Sequence, residues 1–295
     1  MTLAEGPASF AFTTTDRLRI VGQRSRMPAG DGDVIFIHGF SMSRLCWGRQ
    51  MASPALGGCR LVSYDLRGHG GSDKPTDPKF YRQGWRWANE LRGVIDLLAL
   101  ERPVLVAWSY GVRIVVDYLT EFGDGAIGGI NIVGSKINSD AAFAGATMGP
   151  LQAAMGSPEL AENIRATIGF LDGCARRWPA EDFLQALAAA MVVPDAVRRA
   201  MMGRALDADE LFRGIDVPVL FSHGRFDPVA PVAAAEHGAA TAKHGRLSIY
   251  ENSAHMPFLE EPDRFDHELA AFVAACRDMA ERKQCHRATA EPPRG

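Results

Sequence analysis

Apolar residues along this chain fall into two patterns. Near the N-terminus, positions 10–13 and 17–24 alternate between apolar and polar, the two-residue period of half-buried strands, and are read as an antiparallel hairpin. Further on, short continuous runs of Val, Ile, Leu and Phe recur near 33–38, 60–64, 103–108, 128–133, 217–223 and 246–251. Runs of this length predict strands buried on both faces of a parallel sheet. Helical patterns separate most of the later runs, so the expected fold is α/β, a mostly parallel, doubly wound sheet of eight strands with helices on both faces. After Ile130-Asn131-Ile132-Val133 the alternation stops. Residues 136–213 are rich in Ala, Met and Leu and are predicted to form consecutive short helices, a cap set over the strand ends. The expected division is a core in two parts, 1–135 and 214–281, the helical cap between them, and a polar, frayed tail from 282 to 295.

One of the buried runs ends abruptly. Val104-Leu105-Val106-Ala107-Trp108 gives way to Ser109, and a helical pattern follows from Val112. A sharp strand-to-helix turn there would lift the serine hydroxyl above the sheet in front of a helix N-terminus, the geometry of a nucleophile elbow. Small residues are needed two before and two after the serine, where strand and helix approach; Ala107 and Gly111 supply them. A serine hydroxyl is a poor nucleophile at neutral pH and needs a base held by a third group. Asp227 lies just past the run that ends at His223, and His255 lies in the loop after the run that ends at Glu251. Both are at strand ends, where open α/β sheets place their ligand chemistry.

Acyl transfer also needs donors aimed at the developing oxyanion. The backbone N–H of Tyr110, next to the serine, is one candidate. The N–H of Phe40, in the His38-Gly39-Phe40-Ser41 loop after the first parallel strand, is the other. His38 at that strand end is expected to tie the loop down rather than act as a base. Asp65 and Arg67, in the loop from Asp65 to Ser72, are read as structural.

The set of motifs resembles the α/β-hydrolase superfamily, in its branch of small serine hydrolases similar to non-haem chloroperoxidase-type esterases, enol-lactonases and carbon–carbon bond hydrolases. The order Ser109, Asp227, His255 fits, as do the His38-Gly39-Phe40 loop, Asp65-Leu66-Arg67-Gly68-His69-Gly70-Gly71-Ser72, Trp47, and His255-Met256-Pro257 with Glu260-Glu261-Pro262. The likeness runs over roughly residues 10–279. Ala107 stands where the family usually has glycine, and Val112 where a second glycine often follows. The resemblance implies a triad of Ser109, His255 and Asp227, an oxyanion hole at Phe40 and Tyr110, and no cofactor or metal. Serine at the nucleophile position disfavours the dehalogenase and epoxide-hydrolase branches, which use Asp.

Composition narrows the partners. A chain of 295 residues suffices for one large domain with an insertion. Net charge is −3, without a basic patch interleaved with aromatics, so nucleic acid is not an expected partner. There is no signal-peptide pattern and no apolar stretch long enough to span a membrane. Cys46, Cys59, Cys174, Cys276 and Cys285 are odd in number and scattered, as befits reduced thiols in a cytoplasm. Gly123-Asp124-Gly125-Ala126-Ile127-Gly128 has Rossmann glycine spacing but follows a helix and precedes a strand, the reverse of the required context. The histidines show no metal-ligand spacing.

The expected activity is hydrolysis of small, fairly apolar carboxylic esters or lactones. Trp108, Met155, Trp178 and Met256 are candidates for contact with substrate. Two alternatives remain open. One is carbon–carbon hydrolysis of a vinylogous diketone, whose carboxylate Arg113, Arg165 or Arg176 would steer; perhydrolysis is a variant of the same acyl chemistry. The other is a ligand receptor on a hydrolase scaffold. The oligomeric state is left open.

Overall fold

The computed structural model describes residues 6–25, 30–145 and 148–290, with side chains described through 283. Eight strands form one sheet: β1 (Ala8–Thr13), β2 (Arg19–Arg24), β3 (Gly32–Ile37), β4 (Cys59–Asp65), β5 (Val104–Trp108), β6 (Gly129–Val133), β7 (Val219–Gly224) and β8 (Gly245–Tyr250). Their spatial order is β1-β2-β4-β3-β5-β6-β7-β8. The β1–β2 and β2–β4 pairs are antiparallel and the other five are parallel. The apolar runs therefore mark the strands, and burial explains their composition. β5 is buried at every position, whereas edge strand β1 alternates half-buried and exposed residues. Two starts are later than the sequence pattern suggests. β2 waits until Arg19 because the chain from Thr14 to Leu18 closes the hairpin with a Thr14 N–H to Leu18 carbonyl bond of 2.8 Å and Arg17 at φ +67°. β7 begins after Pro218, which has no N–H to donate to a ladder.

The helices of six residues or more are α1 (Gly84–Leu97), α2 (Gly111–Phe122), five between β6 and β7, namely α3 (Met148–Ala154), α4 (Leu160–Cys174), α5 (Ala180–Met191), α6 (Asp195–Met201) and α7 (Asp209–Gly214), then α8 (Val232–Thr241) and α9 (Pro262–Ala290). α2 buries Val112, Ile114, Val115, Tyr118 and Leu119, one face of a helix. Each such aliphatic side chain contributes about 1.5–3 kcal/mol of burial free energy. α9 extends past the expected boundary at 281, to Ala290, through a segment without Gly or Pro to interrupt a helix; residues 291–295, the end of the expected tail, lie outside the described residues. Among the described residues no helix is long and apolar enough to cross a membrane.

Two buried arginines organise the layers. Arg67 is fully buried and pairs with Glu90 and Asp16 at 2.8 Å each, while its remaining donors reach the Phe80 and Arg86 carbonyls. Burial alone would raise the Asp16 carboxyl, but the hydrogen bonds and charge of Arg67 dominate and hold it down to about 2. Arg198, on α6, is also fully buried but forms no ion pair among the described residues. It donates to the Met155 carbonyl at 2.8 Å, to Asn163 Oδ1 at 2.7 Å, to Thr167 Oγ1 at 3.1 Å and to the Ala190 carbonyl. Four neutral acceptors from α4, α5 and the end of α3 thus share one guanidinium, and burial pushes it down to about 10. It staples the helices between β6 and β7 to one another.

Candidate active site

The sheet register decides which residues can meet. Ile37, Ala107, Ile132 and Phe221 are lateral neighbours on β3, β5, β6 and β7. The residues that follow them emerge together at the C-terminal edge. Ser109 is the first residue past β5 and sits at φ +54°, a left-handed conformation that costs a residue with a Cβ about 1–3 kcal/mol. Its neighbours hold it there: its N–H donates to the Val133 carbonyl at 2.9 Å, and its carbonyl accepts from Ser135 Oγ at 3.0 Å. α2 starts two residues later. A Cβ at Gly111 would lie 2.8 Å from the Ile37 carbonyl oxygen and 3.1 Å from that of His38, so the turn is closed too tightly for any larger residue.

Asp227 and His255 are brought together across the ends of β7 and β8. His255 Nδ1 lies 2.8 Å from Asp227 Oδ2, and both side chains are buried. The other Asp227 oxygen accepts the N–H groups of Val229 and Ala230 at 2.8 and 3.0 Å. Burial works against the charge on this carboxylate. The adjacent His255 and His223 and the backbone donors outweigh it and leave the group below the usual carboxylate range. His255 packs against the ring of Trp108, the residue before Ser109, at 5.4 Å, and its carbonyl accepts from Trp108 Nε1 at 2.9 Å. Its own N–H donates to the Cys174 carbonyl of α4 at 3.0 Å, which ties the histidine loop to the helices above the sheet. Among the described residues the Ser109 hydroxyl makes no hydrogen bond to the His255 ring, a contact that commonly tightens only when substrate is bound.

The loop that carries Phe40 is held by two buried histidines. His38 Nδ1 faces the Gly39 carbonyl at 2.8 Å while its Nε2 accepts the Leu66 N–H at 3.0 Å. His69 Nδ1 faces the Arg67 carbonyl at 2.9 Å while its Nε2 accepts the Ser41 N–H at 3.2 Å. A carbonyl can only accept and an amide N–H can only donate, so both rings are neutral Nδ1–H tautomers. Burial pushes His38 down to about 4, and burial with the neighbouring His38 pushes His69 down to about 3. The unfolded chain protonates both near their ordinary value of 6.5. Their stability contribution is therefore complete above that pH and is lost as the pH falls toward 4 and 3. Between pH 7.5 and 5.5 the unfolding free energy should drop by roughly 2–3 kcal/mol, about 1.4 kcal/mol per histidine per pH unit below 6.5. Urea unfolding at the two pH values checks this, and His69→Gln should halve the drop. A flat profile would mean that these rings are not held neutral.

A cavity of about 350 Å³ opens in front of Ser109. Phe40, Tyr110 and Ser109 form one side, Met148 and Met201 the side toward the inserted helices, and Gly134 and Ser135 the rim of β6. The N–H groups of Phe40 and Tyr110 find no acceptor in the protein among the described residues. The Tyr110 hydroxyl donates to the Met201 carbonyl at 3.1 Å.

The four residues expected to touch substrate lie elsewhere. Trp108 is packed between His255 and Phe258. Met155 is fully buried among the helices stapled by Arg198. Trp178 and Met256 line a separate crevice with Met42, Cys46 and Leu259. Of the three arginines considered for a carboxylate, Arg113 lines the cavity, whereas Arg165 is exposed and Arg176 stacks on Phe226 at 4.2 Å. Gly134 and His223 were not singled out by sequence. His223 Nε2 lies 2.8 Å from the Ala230 carbonyl and 3.3 Å from Asp227 Oδ2, beside the His255 contact. Gly134, at φ +52°, leaves room for the pair: a Cβ there would lie 3.1 Å from His255 Nδ1 and 3.3 Å from Asp227 Oδ2. Position was the available signal, since Gly134 directly follows β6 and His223 lies four residues before Asp227.

Comparison with known proteins points the same way. A Burkholderia cenocepacia protein put forward as an aryl esterase superposes with a TM-score of 0.87 at 32% identity, covering 92% of this chain and 100% of that one. The esterase RhEst1 from Rhodococcus sp. ECU1013 gives 0.82 at 29% identity, covering 92% and 100%. Mouse protein ABHD8 is 29% identical over 247 residues, 81% of this chain, but the chain spans only 54% of that protein's length. Residues 34–268, from β3 into α9, match the profile of the alpha/beta hydrolase family, and with this sheet order and a serine at the β5–α2 turn the conclusion follows: the chain belongs to the alpha/beta hydrolase family.

Proposed function

We propose that the protein is a serine hydrolase that cleaves small carboxylic esters or lactones through an acyl-enzyme. The observation that carries this reading is the strained, half-exposed Ser109 in a cavity with two backbone N–H groups that have no acceptor among the described residues, beside the buried Asp227–His255 pair. Family membership and the esterase relatives support it. In the first step His255 takes the Ser109 proton as Oγ attacks the substrate carbonyl carbon. Asp227 holds the Nδ1–H tautomer, so that Nε2 is free to act as the base, and stabilises the imidazolium. The oxyanion receives the N–H groups of Phe40 and Tyr110. Collapse expels the alcohol, which carries off the proton from His255. In the second step water, deprotonated by His255, attacks the acyl-serine; the intermediate collapses as His255 returns that proton to Ser109 Oγ, and the acid is released. Residues 136–213 act as a cap on a two-part hydrolase core, and substrate choice lies with the cap side chains Met148 and Met201 that reach the cavity.

A panel of 4-nitrophenyl esters of increasing acyl length, a lactone series and a vinylogous diketone tests the reading. Short esters should show a burst of one nitrophenolate per enzyme, or steady turnover, with longer acyl chains declining once they exceed the cavity. Turnover of the diketone with inert esters would overturn it.

A further inference from the structure

The cavity carries positive charge that simple ester hydrolysis does not use. Arg113, in the first turn of α2, and Lys136, three residues past β6, both line it. Among the described residues neither forms an ion pair. Asp117, on the same helix as Arg113, gives its two oxygens to Arg204 at 2.6 and 2.8 Å. Arg113 donates to a neutral acceptor, the Ala205 carbonyl at 2.9 Å, and lies over the Tyr110 ring at 5.6 Å. Lys136 makes no hydrogen bond or ion pair among the described residues. The acid acting on it is Asp140, an exposed residue whose carboxylate accepts the Ala142 N–H at 2.9 Å. Burial lowers both cations, and Arg113 adds its repulsion to Lys136. Two half-buried like charges facing one small cavity gain from an anion placed between them. With Asp140 nearby their joint excess is close to one charge, which suits a monoanion. A guanidinium fork matches the two oxygens of a carboxylate, and an ammonium adds a point charge.

We infer that the substrates are esters or lactones that also carry a carboxylate, held by Arg113 and Lys136 while the scissile carbonyl lies at Ser109. This rests on Ser109 being the nucleophile and names the chemistry of the rest of the substrate.

A matched pair of substrates tests it: the 4-nitrophenyl monoester of adipic acid, which ends in a carboxylate, and the neutral 4-nitrophenyl hexanoate of the same chain length. The wild-type enzyme should favour the adipate by tenfold or more in kcat/KM, mainly through KM. Arg113→Gln and Lys136→Met should each lower the adipate-to-hexanoate ratio by about tenfold, the scale of one charge-assisted hydrogen bond, and Arg113→Lys should retain part of it. Thermal unfolding shows whether each variant is folded, and the wild-type ratio stands independently of them. Hexanoate turnover with a wild-type ratio of one or less, or a ratio unchanged in folded variants, overturns the inference while leaving the hydrolase reading in place. If neither ester is hydrolysed and a fluorophosphonate does not label Ser109, the hydrolase reading fails and the inference with it.

Discussion

Ser109→Ala should lower kcat/KM for an aryl acetate by about 10⁴- to 10⁶-fold without lowering the melting temperature. The two halves of this expectation have separate physical grounds. Among the described residues the Ser109 hydroxyl satisfies no buried partner, so its removal orphans none of them. The strained backbone is held by the Val133 carbonyl and Ser135 Oγ, which the substitution leaves in place. On the proposed mechanism, chemistry by contrast loses the atom that forms the acyl-enzyme. A residual rate above that in water should survive, because the Phe40 and Tyr110 N–H groups still receive an oxyanion generated by attacking water. Steady-state hydrolysis combined with thermal unfolding checks both halves. Wild-type turnover in a folded Ser109→Ala protein would place the nucleophile elsewhere.

Asp227→Asn should cost about 10⁴-fold in kcat. Asparagine fits the same space and can keep one oxygen on the Val229 and Ala230 N–H groups. That leaves its amide nitrogen, a donor, facing His255 Nδ1. The ring must then carry its proton on Nε2, and it can no longer accept the proton of Ser109. His223 does not rescue the tautomer, since its own contacts are the Ala230 carbonyl and the far side of the same carboxylate oxygen. The fold should persist, because Asp227 holds the pair together but is not part of the apolar core. Rates at saturating substrate, compared with unfolding curves, separate the two effects. Full activity in a folded Asp227→Asn protein would mean that another acid orients His255.

The residues that form the sheet were visible in the chain because burial on both faces leaves little choice but Val, Ile, Leu and Phe, and runs such as Val104-Leu105-Val106-Ala107 have few other uses. The positions of Ser109, Asp227 and His255 followed from the same logic, since each lies one short loop beyond a run that could only be a strand. Their mutual geometry did not. It depends on the lateral register of β5, β6 and β7, and on Gly134 yielding space beside His255, neither of which a single strand pattern encodes. The cavity wall was the least legible part. A methionine at helical spacing reads the same whether it faces a pocket or another helix. Met155 is fully buried, its backbone carbonyl held by Arg198 from 43 residues away in sequence, while Met148 and Met201 reach the cavity. Trp108 was drawn inward by the His255 carbonyl, to which its indole N–H donates.

The central claim is that Ser109 is the covalent nucleophile. Treating the native protein with a fluorophosphonate, digesting it and sequencing the adducted peptide by mass spectrometry tests this most directly. The account predicts a single adduct on the peptide that contains Ala107-Trp108-Ser109-Tyr110-Gly111, absent from Ser109→Ala and strongly slowed in Asp227→Asn. An adduct on any other serine, or undiminished labelling of the Ser109→Ala protein, would contradict it.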